Sequence, residues 1–150
     1  MNEGRGAYTQ VSPMSLYFAA GTPQTDMTSA ALREAIAKAL DALGPRNRVL
    51  ALPPDITRFH SRAGEITQIV YEYYGDRLAA VLPALGTHVP MTEAEIGHMF
   101  GDMPRSLFHV HDWRNGIVTL GEVPAEFIRE QSEGQLEFTW PAQVDRLIVE

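Results

Sequence analysis

The chain has 150 residues, enough to bury a hydrophobic core without disulfides or a structural metal, and its 45% hydrophobic and 21% charged composition excludes disorder as the default. Twelve Lys and Arg against nineteen Asp and Glu give a net charge of −7, with Lys38 the sole lysine, so the basic footprint that nucleic acid requires is missing. The absence of cysteine excludes disulfide frameworks, Cys-based zinc sites and thiol nucleophiles together, while an anionic small molecule stays compatible with one or two pre-placed arginines.

In chain order, residues 1–14 are small and polar, with Gly4, Gly6 and Pro13, and read as a loose leader ahead of one α/β domain over 15–150. Met1 to Gln10 has no basic stretch followed by an apolar one, and no segment approaches the roughly eighteen apolar residues of a membrane span. A cytoplasmic protein is the expectation. Ser15–Ala20 reads as a strand. After the turn signal Gly21-Thr22-Pro23, a helix follows, capped at Thr28 or Ser29, apolar at Leu32, Ile36, Leu40 and Leu43, and stopped by Gly44-Pro45.

A strand–loop–helix pattern then recurs. Val49–Leu52 is a short buried strand, Pro53–Ser61 a loop, and Ala63–Tyr74 a helix with Ile66, Ile69, Val70 and Tyr73 inward, ended by Gly75. Ala79–Leu85 is the next strand and Gly86–Met91 the next loop. Thr92-Glu93-Ala94-Glu95 is a capping box that opens a helix to about Phe100, closed by Gly101. Ser106–Val110 reads as a third strand, and the turn signal Asn115-Gly116 leads into a strand at Ile117–Leu120. The remainder, including Leu136–Trp140 and Leu147–Val149, reads as strand and loop. This alternation predicts an α/β fold, a mostly parallel sheet with flanking helices in a Rossmann-like arrangement, with additional strands near the C-terminus.

Ligands of such sheets bind outside the carboxyl ends of the strands, which is where three loops carry polar residues: Asp55-Ile56-Thr57-Arg58, Gly86-Thr87-His88 and His111-Asp112. All three are expected on one rim. Arg58 can hold a substrate carboxylate through paired hydrogen bonds, with Asp55 orienting it; alternatively Asp55 or Ser61 only caps the next helix and Arg58 is solvated. His88 can exchange a proton near neutral pH, with glycine at Gly86 allowing close backbone approach, or it is a structural histidine. His109 and His111, at i and i+2, share a strand face and raise metal ligation as an option, against a wall or turn role for His111 and Asp112. His60 and His98 carry weaker signals, and Trp113 and Trp140 read as packing residues. No phosphate-loop, dinucleotide, zincin or serine-hydrolase motif is present.

At these loops the sequence resembles the N-terminal domain of the lactate racemase family. Leu52-Pro53-Pro54-Asp55-Ile56-Thr57-Arg58 is similar to its Asp-x-Thr-Arg loop, and Leu85-Gly86-Thr87-His88 through Thr92 and Glu95 to its Gly-Thr-His-Arg-x-x-Thr-x-x-Glu segment. His111-Asp112 and Leu120-Gly121-Glu122-Val123-Pro124 follow in family order. The resemblance spans about residues 48–150. It implies a nickel-pincer nucleotide enzyme that inverts or epimerises a 2-hydroxy acid by moving its α-hydrogen as hydride. It implies His88 as an acid/base histidine, Arg58 as the carboxylate grip, Asp55 and Thr57 as cofactor-site lining, and His111 with Asp112 as site-proximal. Val89 stands where the family usually has arginine, and Phe59 where it has proline. The resemblance also implies that the cofactor-bearing lysine, the nickel-binding histidine and the second acid/base histidine belong to a C-terminal part beyond Glu150. This chain alone is therefore expected to bind no cofactor and to show no racemase activity. The competing expectation is a non-catalytic binding module for an anionic metabolite.

Overall fold

The computed structural model describes residues 16–150, so the expected leader at 1–14 lies outside the described residues. The chain divides into two compact units, Met1–Pro45 and Arg46–Glu150.

In the first unit, helix α1 (Ser29–Leu43) starts where Thr28 Oγ1 accepts from the Ala31 N–H at 3.2 Å. It ends at Gly44, whose φ of +78° suits a residue without Cβ and whose N–H donates to the Asp41 carbonyl. Residues 16–20, the described part of the expected first strand, pair with no strand. Tyr17 and Phe18 instead line a groove of about 890 Å³ with Leu32, Ala35, Ile36 and Ala39, the apolar stripe of α1.

The second unit is built on parallel strands β1 (Val49–Ala51) and β2 (Leu78–Val81), joined through helix α2 (Ala63–Tyr74). Pairing continues past both strands, with the Leu82 N–H donating to Ala51 O at 2.9 Å and the Ala84 N–H to Pro53 O at 2.7 Å. Helix α3 (Glu93–Phe100) opens with the expected capping box: Glu95 N–H donates to Thr92 Oγ1, and Glu95 Oε2 accepts from the Thr92 N–H. Leu78, Val81 and Phe100 are completely buried and centre the core, with Ile69, Leu82, Leu85 and Met99 around them. This is an α/β fold with a parallel sheet, as the alternation of elements predicts.

Four local expectations change. The buried residues of α2 are Gly64, Thr67, Ile69 and Tyr74, while Ile66 is 37% exposed. The face is rotated because Thr67 satisfies its hydroxyl on the Ala63 carbonyl at 2.7 Å and Gly64 lets α3 approach closely. The third strand shrinks to one bridge, Val81↔Phe108, since Pro104 starts a 3-10 turn at Arg105–Leu107 that Arg105 pins by donating to Gly101 O and Met103 O. The C-terminal part contains a helix, α4 (Ala125–Gln131), between antiparallel strands β3 (Ile117–Val123) and β4 (Trp140–Asp145). Finally, Leu136–Phe138 pairs with no strand and Arg146–Ile148 is a 3-10 turn.

Candidate functional site

Asp55 leaves the carboxyl end of β1 and is 4% exposed. It caps the 3-10 turn Ile56–Ser61: its Oδ1 accepts from the Thr57 N–H at 3.0 Å and from the Thr57 hydroxyl. Its other oxygen, Oδ2, lies 2.6 Å from Nδ1 of His88. An ionised carboxylate can only accept, so Nδ1 carries the hydrogen in this contact, and Nε2 is the ring nitrogen left to meet a ligand. The Thr57 hydroxyl, ahead of the His88 contact, holds the Asp55 carboxyl below its ordinary range, and burial opposes this only in part. Asp55 is therefore the cap of this 3-10 turn rather than of α2, and at the same time the partner of a histidine from the turn after the neighbouring strand.

His88 is delivered by a turn at the end of the β2 segment, where its N–H donates to the Leu85 carbonyl at 3.0 Å. Gly86 has φ +58° there, and a Cβ on it would meet nothing within 4 Å. The left-handed conformation alone favours glycine at this position. The His88 side chain is 55% exposed and, with Asp55 and Thr57, lines a pocket of about 330 Å³. Ile56, Val89, Pro90, Met91 and Glu95 complete its wall.

Arg58 does not line this pocket. Its guanidinium sits at the rim, 3.5 Å from Thr57 Oγ1, on a residue that interrupts the helical backbone with φ −110°. His111 does not line it either: its Nδ1 donates to Oδ2 of Asp145 at 2.7 Å. Asp112 folds the turn that follows, its Oδ1 accepting from the N–H groups of Arg114 and Asn115, and the Asn115 N–H leads in holding its carboxyl below the ordinary range. Asp112 and Asp145 line a separate pocket of about 290 Å³ with His109, Asn115 and Arg146. The structure thus joins Asp55, Thr57 and His88 directly, leaves Arg58 beside them, and bonds His111 to Asp145 and Asp112 to its own turn rather than to this pair. His98 stacks on Phe59 with centroids 4.4 Å apart, and His60 meets the same ring edge-on.

Two residues escaped the sequence reading of the site. Glu95 reads as a cap and as the end of the family-like segment, with no site role, although its place one helical turn after Thr92 also brings it to the pocket wall. Asp145 repeats the Asp55 pattern, an aspartate whose Oδ1 accepts from the N–H two residues on while Oδ2 takes a histidine. Its pairing over 34 positions left no local signal.

Among the described residues, no group of three or more His, Asp or Glu side chains is gathered to hold a metal. His111 is committed to Asp145, and His109 has no such company. Both oxygens of Asp55 and the hydroxyl of Thr57 are likewise committed to one another and to His88.

The fold and the site define an α/β domain with an aspartate–histidine pair at the carboxyl rim of a parallel sheet. No protein-family model matches the chain, and no curated protein matches it. It is similar to a crystal structure of a Thermotoga maritima protein, with 29% identity and a TM-score of 0.71 over 82% of this chain. The chain spans 31% of the length of that protein. Among the described residues, no helix is long and apolar enough to cross a membrane.

Proposed function

We propose that the chain supplies the proton-transfer part of a cytoplasmic lactate-racemase-like isomerase acting on a 2-hydroxy acid. The observation that carries this reading is the 2.6 Å contact between buried Asp55 and the exposed ring of His88. Asp55 fixes the orientation and tautomer of the imidazole, so Nε2 is the atom that takes the hydroxyl proton and later returns it. Such a proton carrier needs a group of fixed direction beside a cleft, and this pair supplies one. Arg58, at the rim, is the group suited to the substrate carboxylate. The family resemblance assigns the lysine that carries the nickel-pincer nucleotide to a part of the family enzyme that this chain does not match, so the share assigned to this chain is proton transfer and positioning, with Asp55 and Thr57 at the edge where the nucleotide would sit.

The competing reading is a binding module for an anionic metabolite, and its support is Arg58, exposed and held by one long contact. The two separate by titrating the protein with lactate and with propionate while following the His88 ring by NMR. Proton exchange with a hydroxyl requires that lactate shift the ring and propionate not. Equal shifts favour the module, and no shift with either acid removes both readings for this chain.

A further inference from the structure

The wall of the Asp55–His88 pocket says more about the substrate than the presence of an acid/base histidine does. Besides the pair itself it presents Ile56, Val89, Pro90 and Met91, which are apolar, and Glu95, an anion. Its sole basic side chain is His88; Arg58 stays outside at the rim. Glu95 is held ionised by the Thr92 N–H, which donates at 2.7 Å, and by the Thr92 hydroxyl, so its carboxyl sits below the ordinary range despite the nearby Asp55 charge. Two carboxylates in one wall repel any further negative charge on a ligand. A polyhydroxylated chain would find few partners on an apolar surface. A hydrocarbon substituent, in contrast, would cover Val89, which is 83% exposed, and gain from leaving water. A pocket of about 330 Å³ has room for more than a methyl group beside the carboxyl and hydroxyl.

Resting on the acid/base reading above, we infer that the substrate is a monocarboxylic 2-hydroxy acid with an uncharged, branched or otherwise bulky apolar substituent, in preference to a dicarboxylic or sugar acid. Its own carboxylate meets Arg58 at the rim, its hydroxyl meets Nε2 of His88, and its substituent lies along Val89, Pro90 and Met91.

The test is a titration of the whole chain with 2-hydroxyisocaproate, lactate, malate and gluconate, following the His88 ring by NMR. The expected order of affinity is 2-hydroxyisocaproate first, lactate about tenfold weaker, and malate and gluconate weakest. V89R, at an exposed position that tolerates the change, should strengthen malate and weaken 2-hydroxyisocaproate. E95Q keeps a residue able to complete the capping box and should strengthen malate alone, by roughly three- to tenfold. Equal affinity for all four acids, or malate as the tightest, overturns the inference and leaves the proton-transfer reading standing. If none of the four shifts His88, the proton-transfer reading itself fails and takes this inference with it.

Discussion

Nδ1 of His111 donates to Oδ2 of Asp145 at 2.7 Å, tying the segment that leaves the parallel sheet to the last residue of β4, 34 positions later. Asp145 is 7% exposed, and its other oxygen accepts from the Leu147 N–H at 3.0 Å, so one buried carboxylate closes both the ring contact and the final 3-10 turn. Removing it leaves two donors without their acceptor, and a half-buried unsatisfied donor costs on the order of 1–3 kcal/mol. D145A should lower the urea midpoint accordingly, and D145N, which can still cap the turn, should lower it less. Unchanged midpoints in both variants would show that the ring contact contributes nothing to stability.

Gly64 and Met99 fix the approach of α2 and α3. A Cβ on Gly64 would lie 2.0 Å from the Met99 carbonyl oxygen, a backbone atom that cannot rotate away. G64A should therefore destabilise the fold by about 1–3 kcal/mol through overpacking, although alanine is the better helix former. Thermal unfolding measures the sign directly: a stabilised G64A would mean that the two helices separate without cost.

The elements that the sequence made legible are those with local signals. Helix α2 ends where Gly75 stands, α3 begins at its capping box, and Asp55 and His88 both follow strands, so their rim could be read before their contact was known. What could not be read depended on partners distant in sequence. Thr67 rather than Ile66 is inside because a backbone carbonyl takes its hydroxyl, and Asp145 finds His111 through folding of the whole C-terminal part. Helix α4 was missed because only Ile128 and Ala125 on it are even half-buried, which leaves little periodic pattern to find.

Asp55 gives acid stability a definite direction. Its folded pKa is lowered from 3.8, first by the Thr57 hydroxyl and less by His88, with burial working against both. A group whose folded pKa is depressed contributes stability above its unfolded pKa and loses it as pH falls through the folded value. Stability should therefore drop below about pH 4, and T57V, which removes the leading cause, should make that drop shallower. Chemical denaturation from pH 6 to pH 2 reads both curves. Glu95 and Asp112, also lowered, act in the same direction, so the informative quantity is the difference between the native and T57V curves. Superimposable curves would show that the Thr57 hydroxyl does not set the titration of Asp55.

Arg58 separates binding from proton transfer. It is exposed, touches the site through a 3.5 Å contact to Thr57 Oγ1, and supports no other described element through a side-chain bond, so its removal should leave the fold intact. If its guanidinium takes the substrate carboxylate through paired hydrogen bonds, R58A should weaken binding of any 2-hydroxy acid by roughly ten- to a hundredfold, and R58K should recover only part of it because an ammonium cannot form the planar fork. The NMR signals of the His88 ring without ligand should stay as in the native protein, since Asp55 holds Nδ1 in both. H88N should give the opposite result, keeping carboxylate affinity while losing discrimination between lactate and propionate. Native affinity in R58A would remove Arg58 from the site and leave the carboxylate of the substrate without a partner in this chain.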